Sequence, residues 1–401
     1  MVFWRWIAWL AIISQVIFFV QMIRNYRYVL SKYKRRRGYY PKAVLVVPCK
    51  GIDSTFEKNI SSFFNQDYQS YLLWFVVADK SDPAYDRLCW MKDKLAADSK
   101  ALDIQIMVAG EGKECSQKNH NLLYCCRRVG GDIKVLAFAD SDICVRRDWL
   151  AHIVYPLRKP KNGAASGYRW FVPERNNLAT LALSAVNAKI AQLLGNTMFN
   201  QVWGGSMAVR TDTFREVGLD QIWAKSLSDD LSLSYAVKKA GMRVVFVPAC
   251  LAASYDTTDW RGLFEFGRRQ FLITRVSAPG TWFFGLFSAV YSILGLWGGL
   301  AMALYAAAHH PASLPLFVIV PAVFFLSQLF RVFMRQKMIG KLLAEDRCKM
   351  RLARLADMLF FWVWTFLMLF FIVSSAFGRT IVWRGIRYRL LGPTETVVVG
   401  E

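Results

Sequence analysis

Hydrophobic positions fall into three regimes along the chain. Residues 3–23 form an apolar run broken only by Arg5, Ser14, Gln15 and Gln21. About 20 apolar residues are enough to cross a bilayer as a helix. From there to about residue 258, short apolar runs alternate with polar turns. Residues 259–279 are amphipathic, and three more apolar runs follow at 281–308, 314–330 and 358–377. Each of these spans or nearly spans a membrane.

The middle regime predicts strands at 43–48, 72–77, 104–108 and 134–139. Helices are predicted at 53–65, 83–95 and 117–129, the first from the helical spacing of Phe56, Ile60, Phe63 and Phe64. Pro83 suits a first helical position. Strands alternating with helices of this length imply a largely parallel, Rossmann-like α/β sheet. Its second half is less regular. Helices are expected at 179–194 and 226–241, with a short strand at 244–247 closed by Pro248. The Gly204-Gly205 pair interrupts an apolar segment and permits either a bulge or close approach of a ligand.

In the amphipathic stretch, Trp260, Leu263, Phe264, Phe271 and Leu272 share one face, flanked by arginines. Such a helix is expected to lie in the membrane interface. The runs at 281–308 and 314–330 should form a hairpin around His309-His310-Pro311. A solvated turn explains those histidines better than a metal site does. A full crossing by the last run would place Arg379, Arg384, Arg387 and Arg389 outside, against the positive-inside rule. Either the rule fails there or the run is a re-entrant hairpin.

Composition agrees with a membrane protein carrying one large water-exposed domain. The chain is 55% hydrophobic, too apolar for an ordinary soluble protein, yet 20% charged, too charged for a wholly embedded one. Its net charge of +22 calls for a negatively charged partner. The basic residues cluster beside the apolar runs, at 24–37, 331–354 and 379–389, which favours a membrane surface over nucleic acid. The cluster after the first run, which includes positions 34–37, places the following domain in the cytoplasm by the same charge rule. A cleaved signal peptide is disfavoured, since the basic residues follow the apolar run and no small-residue cleavage site is present. The eight cysteines have no zinc spacing and read as buried thiols of a reducing compartment. No GxGxxG follows the first strand, which argues against NAD or FAD.

The chemistry centres on Asp140-Ser141-Asp142, at the end of the fourth strand. Ligands of parallel sheets bind outside the carboxyl ends of the strands. Two carboxylates there can share one Mg²⁺ or Mn²⁺ with a substrate diphosphate. Alone the pattern is common. With Asp79 at another strand end, Asp230 at a helix start and the arginines at 268–275, it resembles a family.

The chain resembles the family 2 glycosyltransferases of GT-A fold, most of all their ceramide glucosyltransferase-like branch and its bacterial lipid-modifying relatives. The likeness covers almost the whole chain. It implies an anchor at 1–24, a cytosolic GT-A domain at 40–258, an interfacial helix at 259–280, two to three membrane helices within 281–380 and a tail at 381–401. It also implies site roles. Pro48, Lys50 and Gly51 would frame the nucleotide, and Asp79, or else Asp82, would face the uracil and ribose. Lys118 in Ser116-Gln117-Lys118-Asn119 would lie near the nucleotide. Asp140 would serve the nucleotide sugar and Asp142 the metal. Gly204, Gly205 and Asp229 fall on the acceptor side, and Asp230 takes the place of the general base. The family's (Q/R)xxRW motif is represented loosely by Arg268, Arg269, Gln270, Phe271 and Arg275, with Gln and Phe in place of Arg and Trp. One of these arginines would meet the leaving diphosphate. The implied activity is inverting transfer of a hexose, glucose foremost, from a UDP-sugar to a lipid hydroxyl. The alternatives are a processive polysaccharide synthase and a non-catalytic membrane scaffold.

Overall fold

The computed structural model describes residues 1–33, 38–383 and 385–399. Positions 34–37, Arg384 and the last two residues of the tail lie outside the described residues. Helix α1 (Val2–Tyr33) leads into strand β1 (Ala43–Pro48). Then come α2 (Phe56–Phe64), β2 (Tyr71–Val77), α3 (Pro83–Leu95), β3 (Asp103–Val108), α4 (Gln117–Cys126) and β4 (Val135–Ala139). Strands β1 to β4 pair in parallel, as the alternation predicted. Both faces of β1 are buried. Leu45 and Val47 meet Phe63, Phe64 and Trp149, while Val44 and Val46 meet Leu122, Phe138 and Trp223. A strand covered on both sides reads as a continuous apolar run. Polar caps start the helices: Asp82 accepts the Ala84 N–H at 2.9 Å, and Ser116 accepts that of Asn119 at 3.2 Å.

The irregular half contains α5 (Trp149–Val154), β5 (Asn162–Pro173), α6 (Leu178–Ala191), β6 (Ser206–Arg210), α7 (Thr211–Glu216), α8 (Leu219–Trp223), α9 (Asp229–Lys239) and β7 (Arg243–Asp256). The sheet has seven strands in the order β3-β2-β1-β4-β6-β5-β7. Strand β6 runs antiparallel to both its neighbours, and β5 and β7 are parallel. Pro248 does not close the strand predicted at 244–247. Strand β7 continues to Asp256 because the pairing with β5 shifts between Ser166 and Tyr168, and the proline falls in that irregularity. A bulge is where a sheet tolerates a residue without an N–H.

Beyond the sheet lie α10 (Trp260–Ser277), α11 (Pro279–Ile293), α12 (Gly299–His309) and α13 (Leu314–Leu342). They are followed by α14 (Arg351–Leu359), α15 (Phe361–Ser374) and a three-stranded sheet of β8 (Thr380–Trp383), β9 (Ile386–Leu390) and β10 (Thr396–Val398). Among the described residues, three helices are long and apolar enough to cross a membrane: Val2–Tyr33, Pro279–His309 and Pro311–Leu342. Two of the polar breaks in the first run have partners on its neighbours. Gln15 bonds Ser327, and Ser14 shares a 2.7 Å hydrogen bond with Tyr291. Such bonds join helices in a medium without water. The histidine pair forms the turn between α12 and α13, as expected of a hairpin, and His309 Nδ1 lies 3.2 Å from the Tyr305 carbonyl.

One expectation changes, and an alternative left open by the sequence gains detail. The apolar stripe of α10 is covered largely by protein. Leu263 packs with Phe371 and Trp364, Leu272 packs with Leu227 and Ile381, and only Trp260 of the five is substantially exposed. The last apolar run is also not one straight helix, since α14 and α15 meet at 85°. Helix α15, at about 1.5 Å per residue, is about 21 Å long, short of a hydrocarbon core of about 30 Å.

Candidate active site

Lys118, one residue into α4, is the hub of the site. Its Nζ lies 2.6 Å from Asp140 Oδ1, just past β4, and 2.9 Å from Asp229 Oδ2, the first residue of α9. Burial works to lower the Lys118 pKa, but the charges of Asp140 and Asp229 outweigh it and hold the ammonium firmly protonated. Burial pushes the Asp229 carboxyl up to about 6, against the pull of Lys118. Asp230 differs from its neighbour. Asp229 is buried, whereas Asp230 is half-buried at the cleft. Asp230 Oδ2 accepts the Gly204 N–H at 3.0 Å, and Oδ1 accepts the Leu231 N–H at 2.7 Å and the Ser228 hydroxyl.

Close packing at Gly204 explains the glycine pair. A Cβ there would fall 2.4 Å from Asp229 Oδ2 and 2.8 Å from Lys118 Nζ. At Gly205 it would fall 2.1 Å from the Trp203 ring. The Gly205 carbonyl accepts the Asp140 N–H at 3.2 Å, so the turn ties the two acidic segments together.

The sequence reasoning missed Arg169. This residue of β5 reaches Asp140 Oδ2 at 3.7 Å and Asp142 Oδ2 at 3.9 Å, and its guanidinium lies 4.8 Å from the Trp203 ring centroid. The signal was a lone arginine inside an otherwise apolar strand. Asp256, at the end of β7, is a further neighbour, its carboxyl raised by burial and by Asp142 although Arg169 pulls it down.

The remaining predicted residues divide. Pro48, half-buried, and Lys50, exposed, lie on the loop after β1. Gly51 donates its N–H to Asp82 Oδ1 at 2.8 Å, so Asp82 both caps α3 and fastens that loop. Asp79 is exposed, and hydrogen bonds from the Ser81 hydroxyl and then from the Ser81 N–H, the latter at 2.7 Å, lower its pKa. The arginines of α10 are turned to other work. Arg268 donates to the carbonyls of Ser374 at 3.3 Å and Phe377 at 3.1 Å, and Arg275 to those of Ala376 at 2.7 Å and Gly378. They satisfy the backbone where α15 ends. Arg269 lies 5.7 Å from the Phe266 ring centroid, and Gln270 is exposed.

Four carboxylates thus converge with two cations past the end of β4, the central strand of a mixed sheet, in a chain with membrane-type helices. Set beside known proteins, this layout falls among the glycosyltransferases. The profile of glycosyl transferase family 21 matches residues 6–395, and the chain belongs to that family. The motifs had suggested family 2. Among solved structures the chain is similar to a mannosyltransferase from Pyrobaculum calidifontis in complex with GDP-Man and Mn²⁺. The identity is 15% and the TM-score 0.43, covering 91% of this chain and 96% of the other. It is more remotely similar to GalNAc-T7 with UDP, GalNAc and Mn²⁺, at 11% identity and a TM-score of 0.38, over 55% and 45% of the two chains.

Proposed function

We propose that this glycosyltransferase moves a hexose, glucose foremost, from a UDP-sugar to a lipid hydroxyl such as that of ceramide or a related lipid, with inversion. The observation that carries the reading is the meeting of Asp140, Asp142 and Asp229 around Lys118 and Arg169, with Asp230 next to Asp229 on the Gly204 N–H. A lipid acceptor is favoured by the loop before Gly204. Met198 and Phe199 are exposed, Phe199 stacks on Phe284 of α11 with centroids 6.0 Å apart, and Gln201 bonds Thr281 at 3.1 Å. This loop, with Met198 and Phe199 at its tip, links α11 to the segment that carries Gly204.

Asp230 is the base. It is the more open of the adjacent carboxylates, and a positioned base contributes about 10²–10⁴-fold to such a transfer. Attack opposite the leaving diphosphate inverts the anomeric centre. Lys118 fixes Asp140 toward the donor sugar, and Arg169 is close enough to Asp142 to balance charge near the diphosphate. The donor set fits a hard divalent cation. Carboxylates outnumber cations, while no group of three His, Cys, Asp or Glu suited to hold an ion alone occurs among the described residues. Asp142, with Asp140 beside it, would hold Mg²⁺ or Mn²⁺ together with substrate phosphates. When bound, the ion offsets charge on the departing diphosphate.

The ends of the last apolar segment support one membrane layout. Before it, Asp346 accepts a 2.9 Å hydrogen bond from Tyr255 of β7. After it, Thr396 donates to the Lys225 carbonyl at 2.8 Å. Both ends are tied to the sheet domain, which favours α14 and α15 entering and leaving on one side. On this reading Arg379, Arg387 and Arg389 stay on the cytoplasmic side, in accord with the charge rule. Incubating the full-length protein in lipid vesicles with radiolabelled UDP-glucose, with and without EDTA, tests the function. Label in a chloroform-soluble product, lost with EDTA and restored by Mn²⁺ or Mg²⁺, is expected. A water-soluble polymer would indicate the synthase instead.

A further inference from the structure

A second site lies where the chain re-emerges from the membrane segment. Arg275, Gly378, Arg379, Thr380, Arg389 and Val399 line a cavity of about 480 Å³. Three guanidinium groups share it, and among the described residues none has a carboxylate partner. Arg275 Nε is buried without a hydrogen-bond acceptor, although the other nitrogens of that side chain hold the carbonyls of Ala376 and Gly378. Like charges collected in this way repel unless an anion joins them. Burial, then the charges of Arg379 and Arg268, already lower the Arg275 pKa.

Position in the fold selects the anion. Arg275 lies on the last turn of α10, immediately before the membrane helix that begins at Pro279. Gly378 and Arg379 follow Phe377, a large exposed apolar residue just past α15. The cavity therefore sits at the depth of lipid headgroups. We propose that this arginine-lined cavity binds the phosphate of an anionic phospholipid, docking the C-terminal sheet and the end of α15 to the cytoplasmic leaflet. The proposal rests on the membrane-spanning reading of Pro279–His309 and not on the transfer chemistry.

Native mass spectrometry of the full-length protein in detergent, with phosphatidylglycerol, phosphatidylcholine or UDP added, tests it without any assay of transfer. Wild type should retain phosphatidylglycerol over phosphatidylcholine. The Arg379→Gln, Arg389→Gln double variant should lose roughly 30-fold of that preference, at about 1 kcal/mol per arginine, while binding UDP as wild type does. The Arg379→Lys, Arg389→Lys variant should keep most of it, which guards against a folding defect. Equal retention of the two lipids by wild type would overturn the proposal. So would an unchanged preference in the glutamine variant, or weakened UDP binding there, which would reassign the cavity to the donor diphosphate.

Discussion

A single methyl group at position 204 should disable the site without unfolding the domain. The Cβ of Gly204→Ala would press on Asp229 and Lys118, whose separation is 2.9 Å. Displacement of about 1 Å at such groups costs about 100-fold in rate. Transfer should fall by about that factor while circular dichroism stays as in wild type; unaltered transfer would show that the turn does not set the carboxylates. Asp229 gives a second check. Its carboxyl titrates near 6 when folded, chiefly through burial, against an ordinary value of 3.8. The folded chain holds that proton more tightly than the unfolded one. Its contribution to stability is therefore full below about pH 4 and lost as pH rises through 6. Thermal unfolding should show wild type losing stability relative to Asp229→Asn across that window, and a constant difference would contradict the buried carboxyl. Asp140, Asp142 and Asp230 were legible because abrupt acidity ends an apolar strand or opens a helix. Arg169 was not, because its meaning lies in what it meets across the sheet and in the loop before β6, Asp140, Asp142 and Trp203. The α10 arginines were legible as charges but not as caps, since the carbonyls they satisfy lie about a hundred residues away.

Elements with clear ends were read well: β1, an unbroken apolar run, and α3, opened by Pro83, have the bounds the sequence predicted. Strand β7 was cut short, because a proline stops a regular strand but not a bulged one. The bend between α14 and α15 was invisible in hydropathy alone. A buried ion pair helps set it. Arg335 of α13 grips Asp357 of α14 with two nitrogens, Nε at 2.7 Å from Oδ2, and Gln336 adds a third bond at 2.7 Å. Removing one partner strands the other charge. Asp357→Ala should cost about 3–5 kcal/mol, whereas replacing both Arg335 and Asp357 by apolar residues of similar volume should cost much less. Thermal melts of the detergent-solubilised protein distinguish these; equal losses would mean that the pair acts through shape alone.

At the scale of the molecule, the helices that can cross the membrane and the C-terminal sheet are both tied to the sheet domain, α1 and α13 against β7 and Thr396 to the Lys225 carbonyl. Helix α1, at about 48 Å, outruns the hydrocarbon core, and its last turns rest on the sheet domain, where Tyr28 donates to the Phe246 carbonyl at 2.9 Å. The sequence left the side of the tail open because charge and length pulled opposite ways. Contacts distant in sequence favour one side. Reagents that cannot cross the membrane should label Cys348 and an introduced Val397→Cys only after the cells are opened, and His310→Cys in intact cells. Labelling of position 397 from outside would restore a full final crossing.

The central claim is that Asp230 and Asp142 belong to one transfer centre. It is tested most directly by measuring incorporation of radiolabelled hexose from UDP-sugar into lipid by wild type, Asp230→Asn and Asp142→Asn, each matched for folding and membrane insertion. Loss of about 10²–10⁴-fold in Asp230→Asn, with a comparable collapse in Asp142→Asn, is the expected result. Wild-type rates from either variant would contradict it.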